Sequence, residues 1–165
     1  MARQDPDRNV QQCLLDRLID LEPHTRTDPP LTRPQSLERL KKSVKRDLEW
    51  LLNTHRTGDE VPEAYREVKK SLYTYGLLDV ASVTLDSVHD EQRLLRSLEN
   101  SITLFEPRLT RVRVTSYERM SKKKPAIQFH VEAMLMIDPA PERISFDTVL
   151  EIAKGAYQVK DAQGA

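Results

Sequence analysis

Residues 127–137 read Ile-Gln-Phe-His-Val-Glu-Ala-Met-Leu-Met-Ile, and this stretch decides the predicted fold. Apolar residues occupy all the odd positions, while polar residues or methionine occupy the even ones. Because successive side chains of a strand point to opposite faces of a sheet, this period of two predicts a β-strand with one buried face. The polar residues 121–125 and the sequence Asp-Pro-Ala-Pro at 138–141 bound the strand.

The same alternation recurs before and after this stretch. Val112 and Val114 alternate with polar residues over 111–117, a third run covers 144–152, and a short one covers 157–159. These runs predict four strands. Helical periodicity precedes them, so the chain is predicted to be an α+β protein in which helices pack on a small antiparallel (mixed) sheet formed by the carboxy-terminal half.

The first half of the chain has the spacing of amphipathic helices. Apolar residues recur at helical intervals from Val10 to Leu21, and Pro23 is expected to end this helix before an extended proline-rich connector over 25–34. Ser36 is the predicted N-cap of a second helix that ends near position 53. The charged residues of that helix are expected to form a solvated face: Lys41, Lys42, Lys45, Arg46 and Asp47.

Two further helices are predicted before the strands. One covers 63–75 and is closed by Gly76. The other begins at an N-cap, Asp86 or Ser87, and ends near Phe105 because Pro107 disfavours helical geometry in the residue before it.

Composition favours a single domain of ordinary size. The chain has 165 residues, with 26 basic and 26 acidic side chains. The balanced charge creates no overall field that would attract nucleic acid or an anionic membrane. We expect an amino-terminal helix and connector over 1–35, one α+β domain over 36–160 and a flexible tail over 161–165.

Cys13 is the only cysteine, so an intramolecular disulfide cannot form. The first twelve residues are polar where a signal peptide would be apolar, and no run approaches the roughly 18–20 apolar residues of a membrane span. We therefore expect a cytoplasmic protein of a reducing compartment, without direct membrane insertion. Cys13 falls among apolar helix positions, which favours a packed thiol over a nucleophile.

The sequence lacks the common motifs of metal and cofactor sites. Its four histidines have no ligand-like spacing, and its four glycines leave little from which to build a phosphate-binding loop. No metal, no cofactor and no catalytic residue are therefore expected.

Two alternatives to a structural role have some support. A glycoside hydrolase needs two carboxylates about 5–9.5 Å apart, and Glu106 with Glu118 or Glu132 could form such a pair. Against it, the single tryptophan makes a poor sugar cleft. A nucleic-acid-binding protein needs a basic track with stacking aromatics, and Tyr117 is the one aromatic residue suitably placed. The candidate track contains Arg108, Arg111, Arg113, Arg119 and Lys122 to Lys124.

The tripeptide Glu106-Pro107-Arg108 breaks a local rule. Glu106 lies at a predicted helix C-terminus, where the helix dipole disfavours an anion by up to about 1 kcal/mol. The guanidinium of Arg108 can compensate this cost, and Pro107 restricts how the two side chains are presented. Two interpretations are open: a local pair that fixes the helix-to-strand corner, or charges that face a partner.

Residues 102–109, Ile-Thr-Leu-Phe-Glu-Pro-Arg-Leu, resemble the Glu-Pro-Arg signature of the lysozyme-like baseplate wedge family of contractile phage tails. The bacterial relatives of that family are the TssE subunits of type VI secretion systems. Leu14-Leu15-Asp16-Arg17-Leu18 resembles the amino-terminal signature of TssE proteins, and Tyr75-Gly76-Leu77 resembles a turn of the same family. The chain departs from the family pattern at Leu78, where proline is usual, and at Lys154, where threonine is common.

The resemblance implies a cytoplasmic baseplate subunit without enzymatic activity, assembled at the inner face of the bacterial membrane. It implies binding to the TssF and TssG wedge subunits, to the TssB–TssC sheath, and to TssK and the spike hub. One strand within 111–152 is expected to serve as the template for sheath assembly. Two groups of residues are expected to contact wedge partners: Glu106, Pro107 and Arg108, and the helix residues Leu14, Leu15, Asp16, Arg17 and Leu18.

Overall fold

The computed structural model describes seven segments of the chain: residues 10–20, 23–24, 31–56, 61–77, 88–120, 126–151 and 156–161. They contain three α-helices, α1 (Leu14–Leu18), α2 (Arg33–Asn53) and α3 (Val88–Phe105). They also contain four strands, β1 (Leu109–Met120), β2 (Ala126–Leu135), β3 (Glu142–Glu151) and β4 (Ala156–Asp161). The predicted α+β class is confirmed. Within these segments, no helix is long and apolar enough to cross a membrane.

The sheet has the order β1-β2-β3-β4, and every pair of neighbouring strands is antiparallel. As predicted, alternate side chains of β2 are buried and those between them are partly exposed. The buried face packs against leucines of α2 and α3 in one hydrophobic core. Removal of this apolar surface from water is the main force that holds the helices on the sheet.

All four predicted strands form, but β1 does not alternate regularly. Arg111 and Val112 both lie between the register pairs that join Thr110 to Met134 and Arg113 to Glu132, so β1 carries an extra residue there. Arg111 has a φ of 53°, in the left-handed region that residues other than glycine seldom adopt. Because of this bulge, Leu109 and Val114 are both buried although they are five positions apart.

The prediction for the first helix is wrong in its bounds. Instead of covering Val10 to Leu21, the helix covers only the five residues of α1, and Ile19 already has extended backbone angles. Pro23 therefore does not end it, and Leu21 lies outside the described residues.

The second helix begins earlier than predicted, at Arg33, so Ser36 is not its N-cap. Thr32 caps α2 instead, and its backbone N–H donates to Gln35 Oε1 at 2.9 Å. Pro34 is part of the first turn, where its missing N–H has no helical partner to lose. The predicted end of this helix at position 53 is confirmed.

The helix predicted over 63–75 does not form. Two short 3-10 turns, Val68–Lys70 and Leu72–Thr74, occupy part of that segment. The predicted end of the last helix at Phe105 is confirmed, whereas both candidate caps at 86 and 87 lie outside the described residues.

Gly76 joins these turns to the end of α2. The Leu77 N–H donates to Thr54 O at 2.8 Å, and the Arg56 N–H donates to Leu77 O at 2.9 Å. Gly76 has a φ of 98°, and a Cβ atom at this position would lie 2.1 Å from Thr54 O. Both the conformation and the space therefore require glycine.

We predict that Gly76→Ala lowers the free energy of unfolding by about 2 kcal/mol or more, since it combines left-handed strain with a backbone clash. Urea denaturation measures the loss. The exposed Thr103→Ala in α3 is the control and should change stability by less than about 0.5 kcal/mol. Equal stability of the two variants would contradict the assigned role of Gly76.

Candidate functional site

Arg108 lies at the corner between α3 and β1 and donates hydrogen bonds to three side chains. Its Nε and Nη2 contact the two carboxylate oxygens of Glu106, at 2.6 and 2.5 Å. Nη2 also donates to Asp47 Oδ2 at 2.6 Å, and Nη1 donates to Ser43 Oγ at 3.1 Å. The two-pronged contact with Glu106 is the strong form of a guanidinium–carboxylate pair. A local pair is thus present in the isolated chain, while contact with a partner stays a prediction.

The three residues of the tripeptide differ in exposure. Side-chain exposure is 6% for Glu106 and 21% for Arg108, whereas Pro107 is exposed. A carboxylate removed from water requires a paired cation or donor. Arg108 therefore compensates both the burial of Glu106 and its unfavourable place at the end of α3.

Residues of α1 and α2 extend this pair into a closed circuit of hydrogen bonds, here called the charge ring. Asp47 Oδ1 accepts from Arg46 Nε at 2.9 Å, and Arg46 Nη2 contacts Asp16 Oδ1 at 2.8 Å. Asp16 Oδ2 accepts from Ser43 Oγ at 2.5 Å, and Ser43 accepts from Arg108. The charge ring consists of Asp16, Ser43, Arg108, Asp47 and Arg46, with Glu106 attached to Arg108.

The charge ring shifts the pKa values of Asp16 and Arg108 in the directions that keep both side chains charged. Burial alone would raise the pKa of Asp16, but hydrogen bonds from Cys13, Ser43 and Arg46 outweigh it and hold that pKa below its ordinary value. Burial opposes the charge of Arg108 as well, yet its bonds to carboxylates raise its pKa. With Glu106 included, three carboxylates face two guanidinium groups, which leaves a net charge of −1 when all are ionised.

Sequence reasoning missed the contribution of α2 to this site. The expectation of a solvated charged face is wrong for Arg46 and Asp47, and Ser43 was not predicted as a site residue. These three residues are spaced i, i+3 and i+4, so they share one side of the helix, next to the buried Val44. The sequence did offer one signal for this site, namely a serine near an oppositely charged pair at the border of the apolar stripe of α2.

α1 has its acid inward and its leucines outward, an orientation that leaves the predicted contact residues Leu14, Leu15 and Leu18 accessible, while their contact with a partner stays a prediction. Asp16 is the one buried residue of α1. Leu14 is 71% exposed and Leu18 is 73% exposed, and Leu15 and Arg17 are exposed as well. The five predicted contact residues of α1 thus divide into one internal anchor and four surface residues.

Cys13 is not the packed thiol that was predicted. It is the N-cap of α1, is partly exposed, and its Sγ donates to Asp16 Oδ2 at 2.7 Å. The thiol therefore belongs to the polar attachment of α1.

The third recognised motif, Tyr75-Gly76-Leu77, lies beside the one at 102–109. The ring of Tyr75 meets that of Phe105 edge to face, with centroids 5.1 Å apart. Burial, followed by the nearby carboxylates of Asp47 and Glu106, raises the pKa of Tyr75. The ring contact thus joins the third motif to the end of α3, next to the Glu106-Pro107-Arg108 tripeptide.

A surface cavity of about 430 Å³ lies beside the charge ring. A guanidinium has five N–H groups, and four of those of Arg108 donate to Glu106, Asp47 and Ser43 as described above. The fifth, on Nη1, has no acceptor among the described residues. The cavity is lined by Arg108 together with Val10, Leu40, Met136, Ile137 and Asp138, among others.

Helix side chains contact the backbone of both outer strands. On β1, the Val114 N–H donates to Glu99 Oε1 of α3 at 2.8 Å. On β4, the Asn53 amide of α2 accepts from the Tyr157 N–H and donates to Tyr157 O, both at 2.9 Å. Asn53 therefore satisfies both outward backbone groups of Tyr157, whereas Glu99 satisfies a single donor of β1.

The described residues include only part of each alternative site. Glu106 is held by Arg108, and Glu132 lies on the outer face of the sheet, where it contacts Arg143 at 2.7 Å. Arg111 and Arg113 are exposed. Within the described segments, no group of three or more potential ligands could hold a metal ion. The side chains of the remaining candidates lie outside the described residues: Tyr117, Glu118, Arg119 and Lys122 to Lys124.

Comparison with known proteins gives one family. The model of the family described as baseplate wedge protein gp25 matches residues 38–140, a range that includes α2, α3 and the Glu106-Pro107-Arg108 tripeptide. No curated protein matches the chain. Among solved structures, a chain in a structure described as the baseplate complex from the type VI secretion system is similar, with 18% identity and a TM-score of 0.48. That similarity covers 68% of this chain and 94% of the other.

We predict that Arg108→Ala lowers the free energy of unfolding by about 3 kcal/mol, because it leaves the buried Glu106 carboxylate without its cation. Arg143→Ala is the matched control, since it removes an arginine whose side chain is 70% exposed. The control should cost less than about 1 kcal/mol. Chemical denaturation compares them, and equal losses would contradict a buried compensating role for Arg108.

Proposed function

Because the chain belongs to the gp25 family of baseplate wedge proteins, we propose that it is a structural subunit of a type VI secretion baseplate. In this role it binds the TssF and TssG wedge subunits, with TssK and the spike hub nearby. It works on the cytoplasmic side of the bacterial membrane and carries the first ring of the TssB–TssC sheath. The observation that carries the proposal is the outward presentation of leucines by α1 next to the charge ring.

The leucines of α1 have the character of a protein-contact surface. Leu14 and Leu18 are each more than 70% exposed, and the adjoining Leu15 and Ile19 are 46% and 37% exposed. Four neighbouring apolar side chains form a contiguous patch of the kind found at protein interfaces. A helix of five residues is too short to be stable by itself in water. We infer that a wedge subunit covers this patch.

The cavity at Arg108 supports a second contact with the same partner. The remaining Nη1 donor fits a neutral acceptor such as a backbone carbonyl. A carboxylate is disfavoured there, because two carboxylates already surround this guanidinium. The walls of Val10, Leu40 and Ile137 suit an apolar side chain next to that carbonyl.

A catalytic role does not form part of the proposal. A general acid must keep a carboxyl group free to give up a proton to its substrate. Glu106 is instead buried and accepts two hydrogen bonds from the guanidinium of Arg108 and a third from its backbone N–H. The family of structural baseplate wedge proteins supports a role without enzymatic activity, and the proposal includes no binding to nucleic acid.

The sheet offers the contact with the sheath. Of the strands within 111–152, β2 and β3 are paired on both sides, so β1 is the one that can accept another strand. Strand addition uses main-chain hydrogen bonds and makes few demands on sequence. We propose that β1 is the template, and that an incoming strand displaces Glu99 from the Val114 N–H.

We predict that the double variant Leu14→Ala/Leu18→Ala weakens capture of the TssF–TssG wedge at least about tenfold, since each leucine loses a buried contact in the complex. Pulldown with purified wedge proteins measures the effect. Leu72→Ala is the control, because Leu72 is 83% exposed and belongs to a different surface. Unchanged capture by the folded double variant would refute the contact.

We predict that Ser116→Pro prevents sheath polymerisation. Ser116 lies two residues from Val114, so its N–H also points away from β2, and proline removes this donor without breaking the existing ladder. Ser116→Ala is the control, since it loses the same hydroxyl contact with Glu91 but keeps the N–H. Sheath counts in cells with an intact baseplate decide the matter. Normal sheath frequency with Ser116→Pro would rule out β1 as the template.

A further inference from the structure

We propose that the charge ring holds α1 in one orientation on the domain, and we call it the latch of α1 for this reason. Through the latch, Glu106 and Arg108 promote partner binding, because they position the leucines of α1. Ser43 and Asp47 are positioning residues in the same latch. The proposal rests on the proposed function for its consequence in assembly, but the latch itself is a property of the isolated chain.

The first observation is that α1 is attached through polar contacts. Its one buried side chain is Asp16, which is 5% exposed and accepts from Ser43 and Cys13 and pairs with Arg46. The segment before α1 has its own attachment, since Gln12 Nε2 donates to Ser36 O at 2.8 Å. Within α1, the orientation that presents the leucines therefore depends on Asp16.

The second observation is that Arg108 reaches Asp16 by two routes. One passes through a single atom, because Ser43 Oγ accepts from Arg108 Nη1 and donates to Asp16 Oδ2. The other passes through Asp47 and Arg46. Networks of buried hydrogen bonds strengthen one another, so the loss of one member weakens the others.

The third observation is the charge balance. Arg46 is shared between Asp16 and Asp47, while Asp47 is also paired with Arg108. Without Arg108, Asp47 has Arg46 as its remaining cation in the charge ring and competes with Asp16 for it. The position of α1 then loses part of its electrostatic support although no residue of α1 has changed.

Cys13 provides a direct probe of the latch. It is the only cysteine of the chain, caps α1 and is bonded to Asp16. Release of α1 should expose its thiol. We expect Ser43→Ala and Asp47→Asn to raise the rate of Cys13 alkylation in the intact native protein at least about tenfold, which corresponds to the loss of a hydrogen bond to a charged group. Arg143→Gln, in an exposed pair on the outer sheet face, should leave the rate unchanged.

Circular dichroism first establishes that the variants are folded. If Asp47→Asn is too unstable to fold, the test uses Ser43→Ala, which removes no charge. An unchanged alkylation rate in both folded variants overturns the latch, whatever happens to assembly. Wedge capture is then measured on the same samples. Faster alkylation with weaker capture supports both proposals. Faster alkylation with normal capture supports the latch and refutes the use of α1 as the wedge contact.

Discussion

One guanidinium group connects three separate parts of this chain. Arg108 compensates the carboxylate at the end of α3, holds Asp47 of α2, and reaches Asp16 of α1 through the hydroxyl of Ser43. These contacts depend on one another, because a buried acid is stable only while its cation is held in place. The corner between helix and sheet, the face of α2 and the orientation of α1 are therefore parts of one electrostatic arrangement.

The use of charges rather than leucines to attach α1 has a physical rationale. An apolar attachment would bury Leu14 and Leu18 against the domain and remove them from any partner. The acid in their place directs the helix by specific hydrogen bonds and leaves the apolar side chains exposed. Replacing buried ion pairs by apolar residues often raises stability, so this arrangement favours a defined orientation over maximal stability. Under the proposed function, this orientation would present the leucines to a wedge subunit.

The sheet could be predicted because its signal is local and strong. Alternation over 127–137 and 144–152 matches strands whose alternate residues are buried, and Pro107 marked the helix end correctly. The bulge at Arg111 was not predicted, although the apolar positions of β1 change phase between Leu109 and Val112. The helix predicted over 63–75 failed because its apolar residues were too few to bury a continuous stripe, and Val68 and Leu72 are exposed.

The candidate site was only partly predictable. The tripeptide at 106–108 could be recognised because it places a carboxylate at a helix C-terminus, so local pairing could be considered from the sequence. Its connection to Asp16 and Asp47 depends on the packing of α1 and α2, which no local pattern encodes. The direction of α1 could not be derived from the sequence for a related reason: apolar spacing shows which residues share a side of a helix, but not whether that side meets the domain or another molecule.

Helix side chains occupy the outward backbone groups of the two outer strands to different degrees, and this difference affects which edge can accept another strand. Asn53 imitates a peptide group and occupies both the donor and the acceptor of Tyr157, whereas Glu99 occupies one donor of β1. A subunit that accepted strands at both edges of its sheet could be extended in both directions. Under the proposal that β1 accepts the first strand of the sheath, Asn53 hinders a second strand at Tyr157 of β4, so that a row of strands begun by this subunit would extend from β1 alone.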